Sequence, residues 1–404
     1  MQILILDLTH GGDILSEDLT AKGHRVTCVD VYRIAKKEKI QALKSIGVEV
    51  TDIVPDKDYD LLVSPAHCPD SFLNGSTYKK RMTFSQAVNK IIDDDRFRIE
   101  ITGVKGKTSC CYLLAHILSV AGKSVFLHTS RGQGPWVKGM HRIDKQMSIA
   151  PTSLLRLPEY DYDIVIAEVS LGGSGKADIS VITNLVEDYG IAKNTRKASD
   201  AKADILTDKI NIVRKNELDL WKKYGDHIFV TYGGNINGVS KPCIGESLRI
   251  KYTYDGQHDV DLNKNYLSLQ YLQTIDLVLE ICETMKIPLW AVVNGLRSFK
   301  GVPGRGEISL HDNIWHIKER NPGISHISIG MTLECLERMN VLNNAIVIVD
   351  PVSKKVCDKM DIGSITEVVS KYNIQLFFTD GNGSRPEITD NVTTVVEFIK
   401  EGYQ

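Results

Sequence analysis

Eight residues between an apolar stretch (FRIEI) and a helix-forming one (CCYLLAHILSVAG) have types and spacing that suit phosphate chemistry. They are Thr102, Gly103, Val104, Lys105, Gly106, Lys107, Thr108 and Ser109. Glycines let such a loop curl so that successive backbone N–H groups face inward, and a following helix adds the partial positive charge of its N-terminus. Lys107 can reach the β and γ phosphates of a nucleotide, and the Thr108 hydroxyl can ligate Mg2+. The full phosphate-loop pattern has a glycine five positions before Gly106, where this chain carries Ile101. The motif is therefore the shortened form TGxxGKT, and all eight residues are candidate nucleotide contacts.

These side chains have to be held by strands and helices, and the sequence supplies both. At roughly 150 residues per domain, 404 residues suggest two or three domains. A 42% hydrophobic, 25% charged composition excludes collagen, coiled coil and wholesale disorder. A net charge of −2 leaves no electrostatic footprint for nucleic acid or an anionic membrane, so an anionic ligand must be held by a local site. The eight cysteines form no CxxC pair and show no His/Cys metal spacing, which reads as reduced thiols in a cytoplasmic protein. The opening MQILILDLTHGG lacks a basic leader region and a cleavage site and reads as a first strand, and no apolar run reaches membrane-spanning length.

Continuous apolar runs separated by helices predict parallel sheets covered on both faces. Ile3–Leu6, Val26–Val31 and Tyr59–Val63 give the first such sheet, and TFSQAVNKIIDDD closes it as a short helix. FRIEIT, SVFLH, DIVIAEVS and ISVIT give the second. After the Gly/Pro-rich KGVPGRG, which reads as a linker, EISLH-DN-IWHI predicts a hairpin, and AIVIVD and IQLFFTD predict strands. The expected organisation is α/β with three domains: residues 1–95 and 301–404 Rossmann-like, and a central phosphate-loop ATPase domain at 96–300.

The order of motifs resembles the Mur ligases and their relative folylpolyglutamate synthase, which carry TGxNGKT at the start of a central ATPase domain. The resemblance runs along the whole chain, and it implies ATP and Mg2+ as cofactors. Glu168, ending the strand in DIVIAEVS, matches the family's Mg2+-site glutamate; a surface carboxylate at a strand end is the alternative. TNLVEDY (Thr183 to Tyr189) looks like TNxxxDH, with Asn184 and Asp188 retained but Tyr189 in place of a metal-ligating histidine. A phenol, with a pKa of about 10, is a poorer Mg2+ ligand at neutral pH. SDAKADIL resembles the segment with a carbamylated lysine, which maps to Lys202; an exposed lysine ion-paired to Asp200 and Asp204 is the other reading. GVPGRGE looks like the family's GxxGRxE junction, which implies that Arg305 faces the ATP phosphates, and Asn321 of Arg320-Asn321-Pro322 sits where the family has HNP. The family's HNxxN adenine motif is missing between Gln270 and Cys282. The resemblance thus implies a catalytic set of Lys107, Glu168, Lys202 and Arg305, with Thr108, Glu168 and Lys202 at the metal.

Within the family, LDLTHGG, VDVY, SPAHCP, LHTSRGQG, NPGIS and VDPVSKKVCDKMD resemble one branch. That branch cyclises the nickel tetrapyrrole seco-F430, activating a propionate with ATP so that a ring carbon attacks it. Nickel then arrives inside the substrate and needs no protein site. A substrate with several carboxylates wants cationic and hydrogen-bonding groups. His10, Gly11, His67, His128 and Arg131 lie at predicted strand ends or the following loops, where open α/β sheets place ligands. His10 as a helix cap and His67 as a turn residue are the alternatives. Asn382 and Arg385, in TDGNGSRPE, resemble the loop TxDNPRxE that recognises the acceptor in peptidoglycan ligases. The rival functions are an amide-forming ATP ligase and a regulatory phosphate-loop NTPase. A nicotinamide oxidoreductase lacks its GxGxxG. The protein is expected to act in the cytoplasm as a monomer or homodimer, without nucleic-acid or membrane partners.

Overall fold

Ile3, Leu4, Ile5 and Leu6 are all buried, as a parallel strand covered on both faces requires. The structure, a computed structural model, describes residues 1–159, 161–351, 360–379 and 391–400. It divides the chain into two compact units, residues 1–107, 123–137 and 141–232 in the first and 108–122, 138–140 and 233–404 in the second.

The first unit opens with a five-stranded parallel sheet of order β3-β2-β1-β4-β5. Its strands are β1 (Gln2–Leu6), β2 (Arg25–Val29), β3 (Glu49–Thr51), β4 (Asp58–Ser64) and β5 (Thr77–Thr83). Helices α1 (Asp13–Ala21), α2 (Lys37–Ser45) and α3 (Phe84–Ile91) accompany it. The start of α3 is set by a capping box: the Thr83 hydroxyl accepts the Gln86 N–H at 3.1 Å and the Gln86 side chain accepts the Thr83 N–H at 3.1 Å.

The larger sheet has the order β15-β14-β11-β6-β10-β7-β8-β9. Its members are β6 (Arg98–Thr102), β7 (Val125–Thr129), β8 (Gly132–Val137), β9 (Met140–His141), β10 (Ile164–Glu168), β11 (Ile179–Ile182), β14 (Ile210–Arg214) and β15 (Phe229–Tyr232). A small ribbon of β12 (Gly190–Ile191) and β13 (Arg196–Lys197) leads into α5 (Ala198–Lys202). Leu154, Ala167 and Val169 join the same apolar cluster as Leu15, Phe84 and Val88, so the two sheets share one core. That shared core is why residues 1–95 and the central sheet form a single compact unit, although each sheet is drawn from one of the expected sequence segments.

In the second unit, β16 (Ile236–Val239), β17 (Arg249–Thr253) and β18 (Gln257–Asp261) form an antiparallel sheet. The helices α6 (Leu272–Thr284) and α7 (Leu289–Ser298) follow. The last sheet has the order β19-β20-β23-β21-β22. The pair β19 (Arg305–His311) and β20 (Ile314–Arg320) is the expected hairpin, turning at Asp312 and Asn313, both with positive φ. The strands β21 (Ala345–Asp350), β22 (Gln375–Phe378) and β23 (Thr394–Ile399) extend it in parallel. The phosphate-loop helix α4 (Lys107–Val120) is buried from Thr108 through Leu118. No helix among the described residues is long and apolar enough to cross a membrane.

Candidate active site

β6 delivers the chain into the phosphate loop, and the loop is braced by the end of β11. Gly103 takes φ 133°, and a Cβ there would stand 2.1 Å from the Thr183 hydroxyl, so only glycine allows this approach. The Thr183 hydroxyl donates to the Lys105 carbonyl at 2.6 Å. Asn184 brackets the loop: its backbone carbonyl accepts the Val104 N–H at 3.0 Å, its Oδ1 accepts the Lys105 N–H at 3.1 Å, and its Nδ2 donates to the Lys105 carbonyl at 3.1 Å. Asn184, expected as a nucleotide contact, is thus placed as a brace of the loop, and Thr183, which sequence reasoning passed over, shares the task. Lys107 Nζ donates back to the Gly103 carbonyl at 3.0 Å, which holds the ammonium across the loop.

Glu168 ends β10 in register with Ile101 of β6, which sets its carboxylate beside the strand that enters the loop. It is buried, and its Oε2 accepts the Ser130 N–H at 3.1 Å. The surface-carboxylate alternative therefore falls. Lys202, at the end of α5, is 1% exposed, and its Nζ donates to the Gly103 carbonyl at 3.0 Å and the Ser170 carbonyl at 2.9 Å. An exposed lysine paired to its neighbours is excluded, because Asp200 is taken by Lys197 N–H and Tyr224, and Asp204 by Thr83 and Gln86. Burial first, and the Lys107 charge second, hold the Lys202 amine well below its usual pKa, against a smaller pull from Asp188. A neutral amine is the form that reacts with CO2 to give a carbamate, so the site meets the chemical condition for that modification. Tyr189, although 37% exposed, keeps its phenol proton more firmly than usual, through partial desolvation and the charges of Glu187 and Asp188. Asp188 itself is bonded to the Ser199 N–H at 2.9 Å and hydroxyl at 2.8 Å. The buried carboxylate of Glu168 is a hard oxygen donor of the kind Mg2+ takes, whereas Lys202 supplies oxygens only as a carbamate.

In the second unit, the segment read as a linker is tightly held. Val302 is buried, its N–H donates to the Tyr271 hydroxyl at 3.2 Å, and that hydroxyl donates to the Arg305 carbonyl at 3.2 Å. Glu307 accepts the Gly304 N–H at 2.9 Å. Arg305 opens β19 and its Nη2 donates to the Thr108 hydroxyl at 3.2 Å. Asn321 is buried and accepts the Gly323 N–H at 3.0 Å, which makes it a turn-former in this structure. Asn382 and Arg385 lie outside the described residues.

Back in the first unit, a cavity of about 190 Å3 is lined by Thr9, His10, His67, Ser85, Ser148 and Ser170 among others. His10 and His67 thus come together on one wall, from the loops after β1 and β4. Gly11 is buried beside them with φ 110°, and a Cβ there would meet the Thr152 hydroxyl at 1.9 Å, so it serves the close approach of two segments. His128 differs from expectation: it is fully buried in β7, outside the cavity lining, and burial lowers its pKa to about 4. Arg131 lies in the turn from β7 to β8, half-buried and also outside the lining.

Sequence reasoning missed Asp7. Its spacing three residues before His10, directly after a strand, was the available signal. It takes φ 71° and is fully buried. His10 Nδ1 is 2.6 Å from Asp7 Oδ2, the His10 N–H donates to Oδ1 at 3.1 Å, and His67 Nε2 is 3.5 Å from Oδ2. Burial pushes the Asp7 carboxyl up, but the hydrogen bonds from His10 and His67 and the His10 charge outweigh it and bring the pKa down to about 2. A carboxylate depressed in the folded state stabilises the fold above its unfolded pKa and loses that contribution as pH falls. Against the ordinary value of 3.8, the loss should fall between about pH 4 and pH 2 and amount to about 2 kcal/mol. Urea unfolding across that range should show a drop that is smaller by this amount in Asp7→Asn; an equal drop in both proteins would refute it.

No protein-family model matches the chain. It is 28% identical to a coenzyme F(430) synthetase of Methanosarcina acetivorans, over 92% of this chain and 88% of that one. It is 26% identical to a coenzyme F(430) synthetase of Methanocaldococcus jannaschii, over 93% and 90%. Among solved structures, it resembles the UDP-N-acetylmuramate-alanine ligase MurC of Thermotoga maritima, with a TM-score of 0.52, 14% identity and coverage of 99% and 95%. MurF of the same organism in complex with ADP gives 0.55, 15%, 94% and 91%. The folylpolyglutamate synthetase of Lactobacillus casei gives 0.52, 12%, 78% and 91%. At these identities the solved structures speak for the fold, and the two sequence relatives speak for the activity class. The chain is therefore an ATP-dependent ligase of Mur ligase architecture, similar along nearly its whole length to coenzyme F(430) synthetases.

Proposed function

We propose that the chain uses ATP to activate a propionate carboxylate of the nickel tetrapyrrole seco-F430 as an acyl phosphate, and that a carbon of the same macrocycle then attacks it. The products are coenzyme F430, with a new cyclohexanone ring, ADP and phosphate. Residues 1–95 would serve as substrate domain, 96–300 as ATPase domain and 301–404 as a C-terminal Rossmann-like domain. The relatives' name supports coenzyme F430 as the product; the observation that carries the reading is the position of Ser170. That residue lines the cavity while its carbonyl accepts from Lys202 at 2.9 Å and from the Thr102 hydroxyl at 3.3 Å. A carboxylate seated in the cavity would therefore lie next to the base of the phosphate loop.

In this reading a carboxylate oxygen attacks the γ-phosphorus in line and the bond to ADP breaks. Lys107 neutralises the charge that spreads over the transferring group. Mg2+, for which Thr108, Glu168 and a carbamate on Lys202 offer oxygen donors, adds further neutralisation when bound. A cavity of about 190 Å3 has room for a propionate arm. Nickel enters with the substrate.

The test is incubation with ATP, Mg2+ and the seco precursor, followed by mass spectrometry. A product lighter by one water, formed without added amine, is expected. ADP release that depends on an added amine would assign an amide-forming ligase instead, and ADP release that needs no carboxylate substrate would assign an NTPase.

A further inference from the structure

Ring closure makes a demand that acyl phosphate formation does not. A ring carbon that gains a bond to the acyl group has to shed its hydrogen as a proton, and water is a poor acceptor in a cavity that must protect an acyl phosphate from hydrolysis. Some side chain on the cavity wall has to take that proton. Lys202 is committed to two carbonyls, and His128 lies outside the lining. His10 and His67 are the titratable side chains in the lining, and they differ in one respect.

His10 is oriented. Its Nδ1 meets Asp7 Oδ2 at 2.6 Å, and because Asp7 is an ionised, fully buried carboxylate, Nδ1 carries the hydrogen. The bond to Asp7 also raises the His10 pKa, and in the neutral form of the ring the remaining nitrogen, Nε2, holds the lone pair. Two rings stand edge-on to the imidazole, Tyr32 at 5.6 Å and His67 at 5.4 Å between centroids, and they restrict its rotation. The side chain is still 38% exposed. His67 stands at 3.5 Å from the same Asp7 oxygen, too far for a strong orienting bond. Asp7 reaches His10 because its left-handed backbone (φ 71°) turns the chain sharply after β1 and lets its carboxylate take the His10 N–H as well.

We propose that His10, oriented by Asp7, is the base that accepts the proton from the attacking ring carbon, and that Asp7 is its positioning residue. The inference rests on the acyl phosphate reading above. In the step, a π electron pair of the macrocycle forms the new C–C bond, the acyl C–O bond breaks, and its pair leaves with phosphate. The C–H pair returns to the ring system and the proton goes to His10 Nε2, from which it passes to the departing phosphate or to water. No oxidant or reductant is involved. The charge formed on His10 is matched by the carboxylate already bonded to its other nitrogen.

The experiment compares wild type with His10→Gln and His10→Ala in ATP, Mg2+ and the seco precursor, with and without hydroxylamine, which traps an acyl phosphate as a hydroxamate. Wild type should give ring-closed product, and hydroxamate when hydroxylamine competes. In His10→Gln the ratio of ring-closed product to hydroxamate should fall by about 10²-fold or more, within the range of general-base contributions. Added imidazole should restore ring closure to His10→Ala. A ratio equal to wild type, or hydroxamate falling in parallel with ring closure and no response to imidazole, would overturn the assignment. Stoichiometric metal held by wild type and lost from the variants would overturn it too, by making His10 a ligand. Absence of hydroxamate from wild type, despite ring closure and ADP release, would instead remove the acyl phosphate reading itself.

Discussion

Lys107→Ala is expected to lower ADP formation by about 10²–10³-fold, the usual cost of removing one preorganised charge from a transition state. The size of the effect follows from how the ammonium is held. Lys107 Nζ already bonds the Gly103 carbonyl at 3.0 Å, and the loop around it is braced by Thr183 and Asn184. Little reorganisation is then needed when phosphate arrives. Since the cavity is lined by other segments, tetrapyrrole binding should persist in the variant and be measurable by an absorbance titration. Turnover at the wild-type rate would end the phosphate role for Lys107. Simultaneous loss of tetrapyrrole binding would point to a collapsed loop, which Lys107→Met, keeping most of the side chain's length, would separate from loss of charge. Arginine is not expected to substitute, because its broad planar fork differs from a compact ammonium on a flexible stem.

Lys202→Ala should cost activity on a similar scale, about 10²-fold or more if the residue supplies a metal-holding oxygen. The unusual feature is a lysine buried to 1% exposure with its amine on the same Gly103 carbonyl that Lys107 uses. Desolvation and the neighbouring positive charge both favour the neutral amine, so protonation competes less than it would at a surface lysine. Because the folded pKa lies below the ordinary 10.5, the neutral, carbamate-forming amine gains population as pH rises and loses it as pH falls through the depressed value. Carbamate occupancy should therefore grow with both pH and bicarbonate. The check is a ¹³C carbamate resonance after incubation with labelled bicarbonate, present in wild type and absent from Lys202→Ala, together with activity in bicarbonate-depleted buffer. Full activity with no resonance would leave Lys202 as an amine that ties the Gly103 and Ser170 carbonyls together.

The parts of the fold that were legible in the sequence are those with strong local signals. Ile3–Leu6, the phosphate loop and its helix, and α3 with its Thr83–Gln86 capping box each follow from apolar runs or cap chemistry within a dozen residues. The hairpin over β19 and β20 was visible for the same reason. The short edge strand β3 and the exposed, lysine-bearing β5 carry no such signal, and they are strands because they pair with β2 and β4.

The site divides in the same way. Lys107 and Gly103 were readable because the motif that names them is contiguous. Lys300 to Gly306 looked like a linker from its composition, yet Val302 is buried and Arg305 starts a strand, since Tyr271 and Glu307 take up the backbone groups that a free linker would leave to water. His128 and His10 looked equivalent at their strand ends. One is enclosed within a central strand with its charge suppressed by burial, and the other is bonded to a buried aspartate and remains half-open.

By itself, then, the sequence determined a phosphate-binding loop, a set of parallel sheets and the motif order of an ATP-dependent ligase, because those depend on residues adjacent in the chain. Only the tertiary structure decided that Lys202 is buried rather than ion-paired at the surface, that Ser170 links cavity to loop, and that Asp7, His10 and His67 share one oxygen. The physical reason is that pKa, burial and hydrogen-bond orientation are set by groups brought together from distant positions, such as residues 7 and 67, or 103, 170 and 202.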